Sequence, residues 1–308
     1  MVTSLRAALC VPTLNAGAGW KDWLTKLKSA AAPLSAVLVI DSSSDDATAR
    51  MALDFGFEVR IISRPDFNHG RTRQLAVEHL SDADVIVFMT QDAVIASPQA
   101  IENLLKPFES NSVGLAFGRQ LPHDGAGSIG AHARLFNYPE KSAVKVPGAE
   151  KTLGLKAAFV SNSFAAYRRN ALLDVGGFPS NVIFGEDTVV AARLLLSGWK
   201  VAYQADAVVY HSHDYGIVEE FRRYFDIGVL HHREHWLLER FGKPEGEGLR
   251  FVKSELAYLL RRNPALVPSA VLRTGLKYAG YRLGRMEQRL PASIKPALSM
   301  HRGYWANQ

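Results

Sequence analysis

Short apolar runs at Ala7–Val11, Ala36–Ile40 and Val85–Met89, with a strand-like stretch at Glu58–Ile62, punctuate the N-terminal third of the chain. Helical patterns at Trp20–Ala31, Ala47–Phe55 and Thr72–Leu80 separate them. Runs that are almost continuously Val, Ile and Leu bury both faces of a strand, and an intervening helix returns the chain to the edge where it started. The alternation therefore selects an α/β fold, a parallel sheet covered by helices on both sides. Such sheets bind ligands beyond the carboxyl ends of their strands. Polar clusters stand at those ends: Pro12-Thr13-Leu14-Asn15, Asp41 to Asp46, and Thr90-Gln91-Asp92.

Beyond Val113 the pattern is mixed. Val113–Phe117 reads as a strand, and the Gly- and Pro-containing stretch from Gln120 to Gly154 as a long loop with some helix. Ala157–Tyr167 is strand-like around Ser161-Asn162-Ser163. Asp187–Ser197 reads as a helix closed by Gly198, followed by short strands at Trp199–Tyr203 and Ala207–Tyr210. Glu219–Phe241 fits one amphipathic helix, and Pro264, Pro268, Pro291 and Pro296 divide the rest into helical pieces.

A chain of 308 residues with 47% apolar content can bury one large core, alone or with an appendage. A single cysteine, Cys10, excludes an internal disulfide framework and fits a reducing compartment. No apolar stretch approaches the roughly 20 residues needed to span a bilayer, and the N-terminal apolar run is too short for a secretion signal. The expectation is a cytoplasmic protein. Charge is uneven: eleven basic residues against Glu255 and Glu287 give +9 from Arg250 onward, and a net +6 overall leaves −3 for the rest. A basic tail on a mildly acidic body suggests an anionic partner, lipid or nucleic acid, or a solvated helical face.

Each motif has a plain structural use beside its chemical one. In DSSSDDAT, Asp41 can accept from a base N–H or a ribose hydroxyl, whereas Asp45 or Asp46 can simply cap the next helix. Glu186-Asp187 opens a helix, where acids complement the macrodipole. The same dipole keeps a carboxylate ionised, as a general base must be. His211 and His213 alternate past a strand, so either could join Asp92 on a metal. The glycines of GAGSIG, 125 to 130, match G-x-G-x-x-G but follow RQLPHD instead of a strand, so they read as a flexible loop. His231 and His235 share a helix face without the H-E-x-x-H pattern of a zinc protease.

In order and spacing, VPTLNAG, DSSSDDAT, NHGRTRQLA, TQDA, SNSFAAYRR with GGFP, and FGEDTVVAARLLLSGWKVAYQADAVVYH resemble a family 2 glycosyltransferase with the GT-A fold. The likeness covers about Leu5 to Phe241. It implies a Rossmann-like, mostly parallel sheet in a domain of residues 1–241, with a basic helical C-terminal extension over 242–308. Within the family, FNHGRTRQLA, TQDA and RRYFDIGVLHHREHW resemble bacterial rhamnosyltransferases of O-antigen, core and cell-wall assembly, which use dTDP-L-rhamnose. The resemblance assigns Thr13, Asn15, Asp41, Ser43, Asp45, Arg71, Thr90, Gln91 and Asp92 to the nucleotide sugar, with Arg222 and Arg223 as further phosphate donors. It assigns Asp92 and His211 to Mg2+ or Mn2+, with His213 as a substitute. It makes Asp187 the catalytic base and places Glu186, Ser161, Asn162 and Ser163 at the acceptor. Thr90 departs from the family's D-x-D, which weakens the contact expected there. Without the Q-x-x-R-W signature and membrane helices of processive synthases, a single transfer is expected.

The implied reaction is an inverting displacement that moves L-rhamnose to a hydroxyl of a glycan or glycolipid acceptor. Leu256, Tyr258, Leu259, Leu260, Val271, Leu272 and Tyr278 among arginines suit peripheral contact with the inner face of the cytoplasmic membrane, or a homodimer. A nucleic-acid partner would explain the tail but not the acidic strand ends. Transfer of a different sugar, or non-catalytic binding of a sugar nucleotide, are the alternatives.

Overall fold

The computed structural model describes residues 5–242 and 245–306. Nine strands form one sheet: β1 (Ala7–Thr13), β2 (Leu34–Asp41), β3 (Glu58–Ile61), β4 (Val85–Met89), β5 (Val94–Ile95), β6 (Val113–Leu121), β7 (Ala143–Lys145), β8 (Phe164–Arg168) and β9 (Lys200–Tyr210). Their order is β3-β2-β1-β4-β8-β6-β9-β5, with β7 also on β9. β1, β2, β3 and β4 pair in parallel, as do β6 and β9, while β8 runs antiparallel between β4 and β6. β1, β2, β3, β4, β6 and β9 therefore end at one edge of the sheet, and β8 begins there.

Alternation along each strand builds a core on both faces. Ala8, Cys10, Leu38, Ile40, Ile86 and Phe88 pack on one side. Ala7, Leu9, Val11, Val37, Val39, Val85 and Val87 pack on the other, against Trp20, Trp23 and Leu24 of the helix Trp20–Ala30. The helices Thr48–Asp54 and His69–His79 make the other crossovers of this parallel half.

Four sequence readings change. The stretch from Gln120 to Gly154 holds the end of β6, a helix at Ser128–Asn137, β7 and a helical turn at Glu150–Leu153. Its glycines and prolines punctuate short elements that Ala131 and Tyr138 anchor in the interior. Ala157–Tyr167 is not one strand: Ala157 and Ala158 are buried in a 3-10 turn, and β8 starts only at Phe164. An apolar run alone does not distinguish those two forms of burial. The two short strands at Trp199–Tyr203 and Ala207–Tyr210 are one strand, β9, whose pairing with β6 slips between Gly118 and Arg119. The single helix at Glu219–Phe241 is two, Ile217–Arg233 and His235–Phe241, broken at Glu234, whose carboxylate accepts from Trp236 Nε1 at 2.7 Å.

The C-terminal helices Glu245–Arg262 and Val267–Gly284 pack onto the body. Contact with the helix Ile217–Arg233 is backbone to backbone. A Cβ on Gly284 would lie 2.0 Å from the Phe225 carbonyl oxygen, and one on Gly280 would lie 2.5 Å from that of Phe221. Further on, Glu287 is buried and accepts from Arg233 at 2.9 Å and Lys295 at 2.5 Å. The Met300 N–H donates to Asp226 Oδ2 at 2.9 Å. Among the described residues, no helix is long and apolar enough to cross a membrane.

Candidate active site

The ends of β1 and β2 are stitched into one network. Asp41 is buried and accepts from Thr13 Oγ1 at 2.8 Å, the Ser44 N–H at 2.8 Å and Ser44 Oγ at 2.6 Å. Asn15 Oδ1 accepts from the Asp45 N–H, and the Asn15 N–H donates to Ser44 Oγ, both at 2.8 Å. Ser43 donates to the Ile62 carbonyl at 2.7 Å, and Asp45 pairs with Arg64. Asn15 (φ 46°) and Ser43 (φ 57°) hold left-handed backbone, the mark of loops shaped for a purpose. Gln91 clamps Leu14, accepting from its N–H at 2.8 Å and donating to its carbonyl at 3.0 Å. The polar clusters of three strand ends thus form one preorganised rim.

At the end of β4, Asp92 Oδ2 lies 3.4 Å from His211 Nε2 and 3.7 Å from His213 Nε2. One ligand atom from each of the three residues falls within 4.8 Å of the others. Arg134 Nη1 donates to Gln120 Oε1 at 2.7 Å, which fixes that amide oxygen as an acceptor. His211 Nδ1, 2.8 Å from the same oxygen, must then carry the proton, leaving the Nε2 lone pair toward Asp92. Burial lowers both histidines, His213 to about 4, so both imidazoles are neutral at pH 7. Burial acts to raise Asp92, but its polar neighbours, His211 first and then Thr90 and His213, hold it below the usual carboxylate range. One carboxylate and two neutral imidazoles, His211 oriented by Gln120, fit a divalent cation.

The second centre lies where the helix Glu186–Leu196 starts beside the N-terminal end of β8. Gly185, at φ 75°, turns the chain into that helix. Glu186 is 5% exposed, 2.7 Å from Arg73 Nη1, and accepts from Asn162 Nδ2 at 3.0 Å. Burial works to raise its carboxyl, yet Arg73 outweighs it and keeps the group below its ordinary range. Among the described residues, Asp187 has no such ion pair. It accepts from the N–H groups of Thr188 (2.7 Å) and Asn162 (3.2 Å), but burial first and the Glu186 charge second push its carboxyl up to about 6. Two adjacent acids thus separate into a locked anion and a proton acceptor poised near neutrality.

Asp187, Glu186, Ser161, Asn162, Ser163, Thr90, His211 and His213 line one cleft of about 1040 Å3. Arg71 does not: it is exposed, and its N–H donates to the capping Asn68 Oδ1 at 2.9 Å. Arg73, two residues on, reaches the site instead. Its place on the Ala76-Val77-Leu80 stripe of its helix is the periodic signal that marks it. Arg223 lies over the rings of Phe184 (6.0 Å) and Tyr215 (5.7 Å), with no ion pair among the described residues, so its donors are available to phosphates. His301, from the C-terminal segment, stacks on Phe184 at 5.6 Å and meets His69 edge-on at 5.5 Å. Gln120, His69 and His301 carry no sequence signal of their own. In GAGSIG, Gly127 and Gly130 lie against Asp214, which accepts from the Gly127 N–H at 2.9 Å. Close packing is what those glycines serve.

Comparison with known proteins places this geometry. Residues 8–176 match the model of Glycosyl transferase family 2. The O-antigen chain rhamnosyltransferase RfbN of Salmonella typhimurium is 46% identical over 98% of this chain and 97% of its own length. The O-antigen chain rhamnosyltransferase WbaN of Salmonella anatum is 44% identical over 97% and 95%. Among solved structures, the mannosyltransferase PcManGT from Pyrobaculum calidifontis, in complex with GDP-Man and Mn2+, aligns with a TM-score of 0.60. It is 19% identical and covers 99% of this chain and 86% of that one, a likeness of fold.

Proposed function

This chain belongs to glycosyl transferase family 2, and from that premise we propose that it transfers L-rhamnose from dTDP-L-rhamnose to a hydroxyl of a cell-surface glycan acceptor, with inversion. The observation that carries the mechanism is the divided acid pair. A base that titrates near 6 is ionised at pH 7 yet basic enough to take a proton, the compromise that general base catalysis favours. Asp187 takes the proton of the acceptor hydroxyl as that oxygen attacks the anomeric carbon opposite the leaving nucleotide. The Thr188 and Asn162 N–H groups hold its carboxylate in place. Glu186, fixed by Arg73, accepts from the acceptor's neighbouring hydroxyls, and Ser161, Asn162 and Ser163 complete that wall. No covalent enzyme intermediate is needed, so positioning and electrostatics carry the rate.

At the donor end, Asp92 and His211, joined by His213, would hold Mg2+ or Mn2+. When bound, the ion supplies Lewis-acid stabilisation of charge on the leaving diphosphate. Arg223 donates to the same phosphates. Thr13, Asn15, Asp41, Ser43 and Asp45 shape the nucleotide rim. Exposed Leu260, Val271, Leu272 and Tyr278 among the tail's basic residues suit peripheral attachment to an anionic membrane surface. Sedimentation with vesicles that ignores anionic lipid content would contradict that last assignment.

The donor is tested by thermal shift with dTDP-L-rhamnose, UDP-glucose and GDP-mannose, each with and without Mn2+, followed by transfer assays. Metal-dependent stabilisation by dTDP-L-rhamnose above the others is expected. Preference for a different nucleotide sugar would overturn the donor assignment while leaving the transferase intact.

A further inference from the structure

The cleft that holds the acids extends onto the C-terminal helices, where Tyr224, Phe251, Glu255, Arg273 and Lys277 line it. Its volume stands at the top of the roughly 300–1,000 Å3 range that encloses a drug-sized ligand. Two cations there are already neutralised. Glu220 lies 2.9 Å from Arg273 Nη1 and 3.1 Å from Lys277 Nζ. With Glu255 included, the charges of these four residues cancel, which leaves nothing to attract a phosphate. Glu255 is 1% exposed, and its Oε1 has no hydrogen-bond partner among the described residues. A buried acceptor without a donor is costly, so a group entering from the cleft side that supplies one is favoured. The Lys277 ammonium lies 5.8 Å from the Tyr224 ring and 5.7 Å from the Phe251 ring, bringing two aromatic walls to the same place. Phe251 also packs against His132 (5.1 Å) and Phe136 (5.2 Å), so only its remaining exposed part faces the cleft. An aromatic lining, an acceptor short of a donor and no net charge among these four residues suit an uncharged ligand with hydroxyls on its rim and C–H groups on its faces.

We propose that this part of the cleft is a second saccharide subsite, which holds a sugar of the acceptor glycan at least one residue away from the reacting hydroxyl. The inference rests on the transferase reading and adds that the acceptor is an oligosaccharide recognised along its length. Phe251 and Tyr224 pack against the sugar's C–H face, and Glu255 accepts from one of its hydroxyls. The family match ends at residue 176, so the C-terminal helices lie outside the part common to the family and can carry a subsite of this chain and its near relatives.

The test uses the full chain and a synthetic set of methyl glycosides, from mono- to tetrasaccharide, built from common bacterial hexoses and 6-deoxyhexoses. In the wild type, affinity is expected to rise with glycan length. Phe251→Ala and Glu255→Gln should each lose about tenfold of that gain, the worth of one charge-assisted hydrogen bond or one packed ring face. If Glu255→Gln fails to fold, the half-buried Phe251 carries the test. A wild type that ignores glycan length, or variants that keep the whole gain, overturns the subsite. Donor hydrolysis by the wild type, measured alongside, reports separately on the parent reading. Absence of both hydrolysis and transfer to any glycoside of the set sinks the transferase mechanism; either one with flat length dependence sinks only the subsite.

Discussion

Replacing Glu186 by glutamine removes the negative charge beside the proposed base, and its consequence can be worked from the structure. Asp187 stands at about 6, raised by burial first and by the Glu186 carboxylate second. At that value roughly nine-tenths of it is ionised at pH 7 and roughly one-tenth at pH 5. Transfer that depends on the ionised form falls about tenfold for each pH unit below 6. In Glu186→Gln burial still acts, but the neighbouring charge is gone and Arg73, which lowers Asp187, has lost its carboxylate partner. Both changes lower Asp187, so the acid limb of kcat/KM moves to lower pH, whatever happens to the plateau. An acid limb that stays in place or moves upward refutes the reasoning. Stability offers a second readout. A carboxyl raised in the folded state costs nothing below its unfolded value near 3.8 and its full amount above the folded value, so stability falls as pH rises between them. The displacement is worth about 3 kcal/mol. Asp187→Asn removes that cost but forfeits one of two backbone hydrogen bonds, about 1 kcal/mol. The variant should lose transfer and gain about 2 kcal/mol at pH 7, the difference of those two terms. Near pH 4 only the forfeited hydrogen bond remains and the gain vanishes. Denaturation at both pH values checks it, and a gain equal at both contradicts the linkage.

Further outcomes follow from other contacts. Gln120→Leu frees His211 Nδ1 and should weaken Mn2+ binding roughly 10- to 100-fold in calorimetric titration; unchanged affinity would remove Gln120 as the residue that orients the ligand. Gly284→Ala places a methyl 2.0 Å from the Phe225 carbonyl oxygen and should cost about 1–3 kcal/mol in a melting experiment. A variant as stable as the parent means the two helices can part freely. His301→Ala opens a gap between His69 and Phe184 and should raise the acceptor KM roughly three- to tenfold through lost positioning; an unmoved KM leaves His301 a packing role alone.

The parallel half of the sheet was legible because both faces of β1, β2 and β4 are buried, which writes the strands as apolar runs with polar residues at their ends. The second half was less so. β8 lies mid-sheet against two antiparallel neighbours, and the buried turn before it is as apolar as the strand itself. Sequence placed Asp92, His211 and Asp187 at element ends; the structure gathers Asp92 with the two histidines and Asp187 with Glu186 and Asn162. NHGRTR offers two arginines, and only helical phase distinguishes the exposed Arg71 from the buried Arg73. His301 could not be found by spacing at all. It reaches the site because Asp226 pins Met300, a contact across 74 residues.

The strand end TQDA shows why residue types matter less than their sum. A D-x-D strand end offers two carboxylates, whereas here Thr90 stands in the first position and the nearest additional ligands are His211 and His213. Both imidazoles are neutral at pH 7, so the donor set carries a single negative charge. A divalent cation held by one carboxylate keeps a net charge of +1, where two carboxylates would cancel it. That surplus favours an anionic diphosphate as the next ligand, and Arg223 adds to the same field. Burial makes the arrangement possible. By keeping His211 and His213 unprotonated it leaves their lone pairs free for a cation, and the hydrogen bond from His211 to Gln120 aims the first of them. The threonine at position 90 is therefore compatible with the proposed metal centre, in which affinity for the cation would depend on the donor arriving with it.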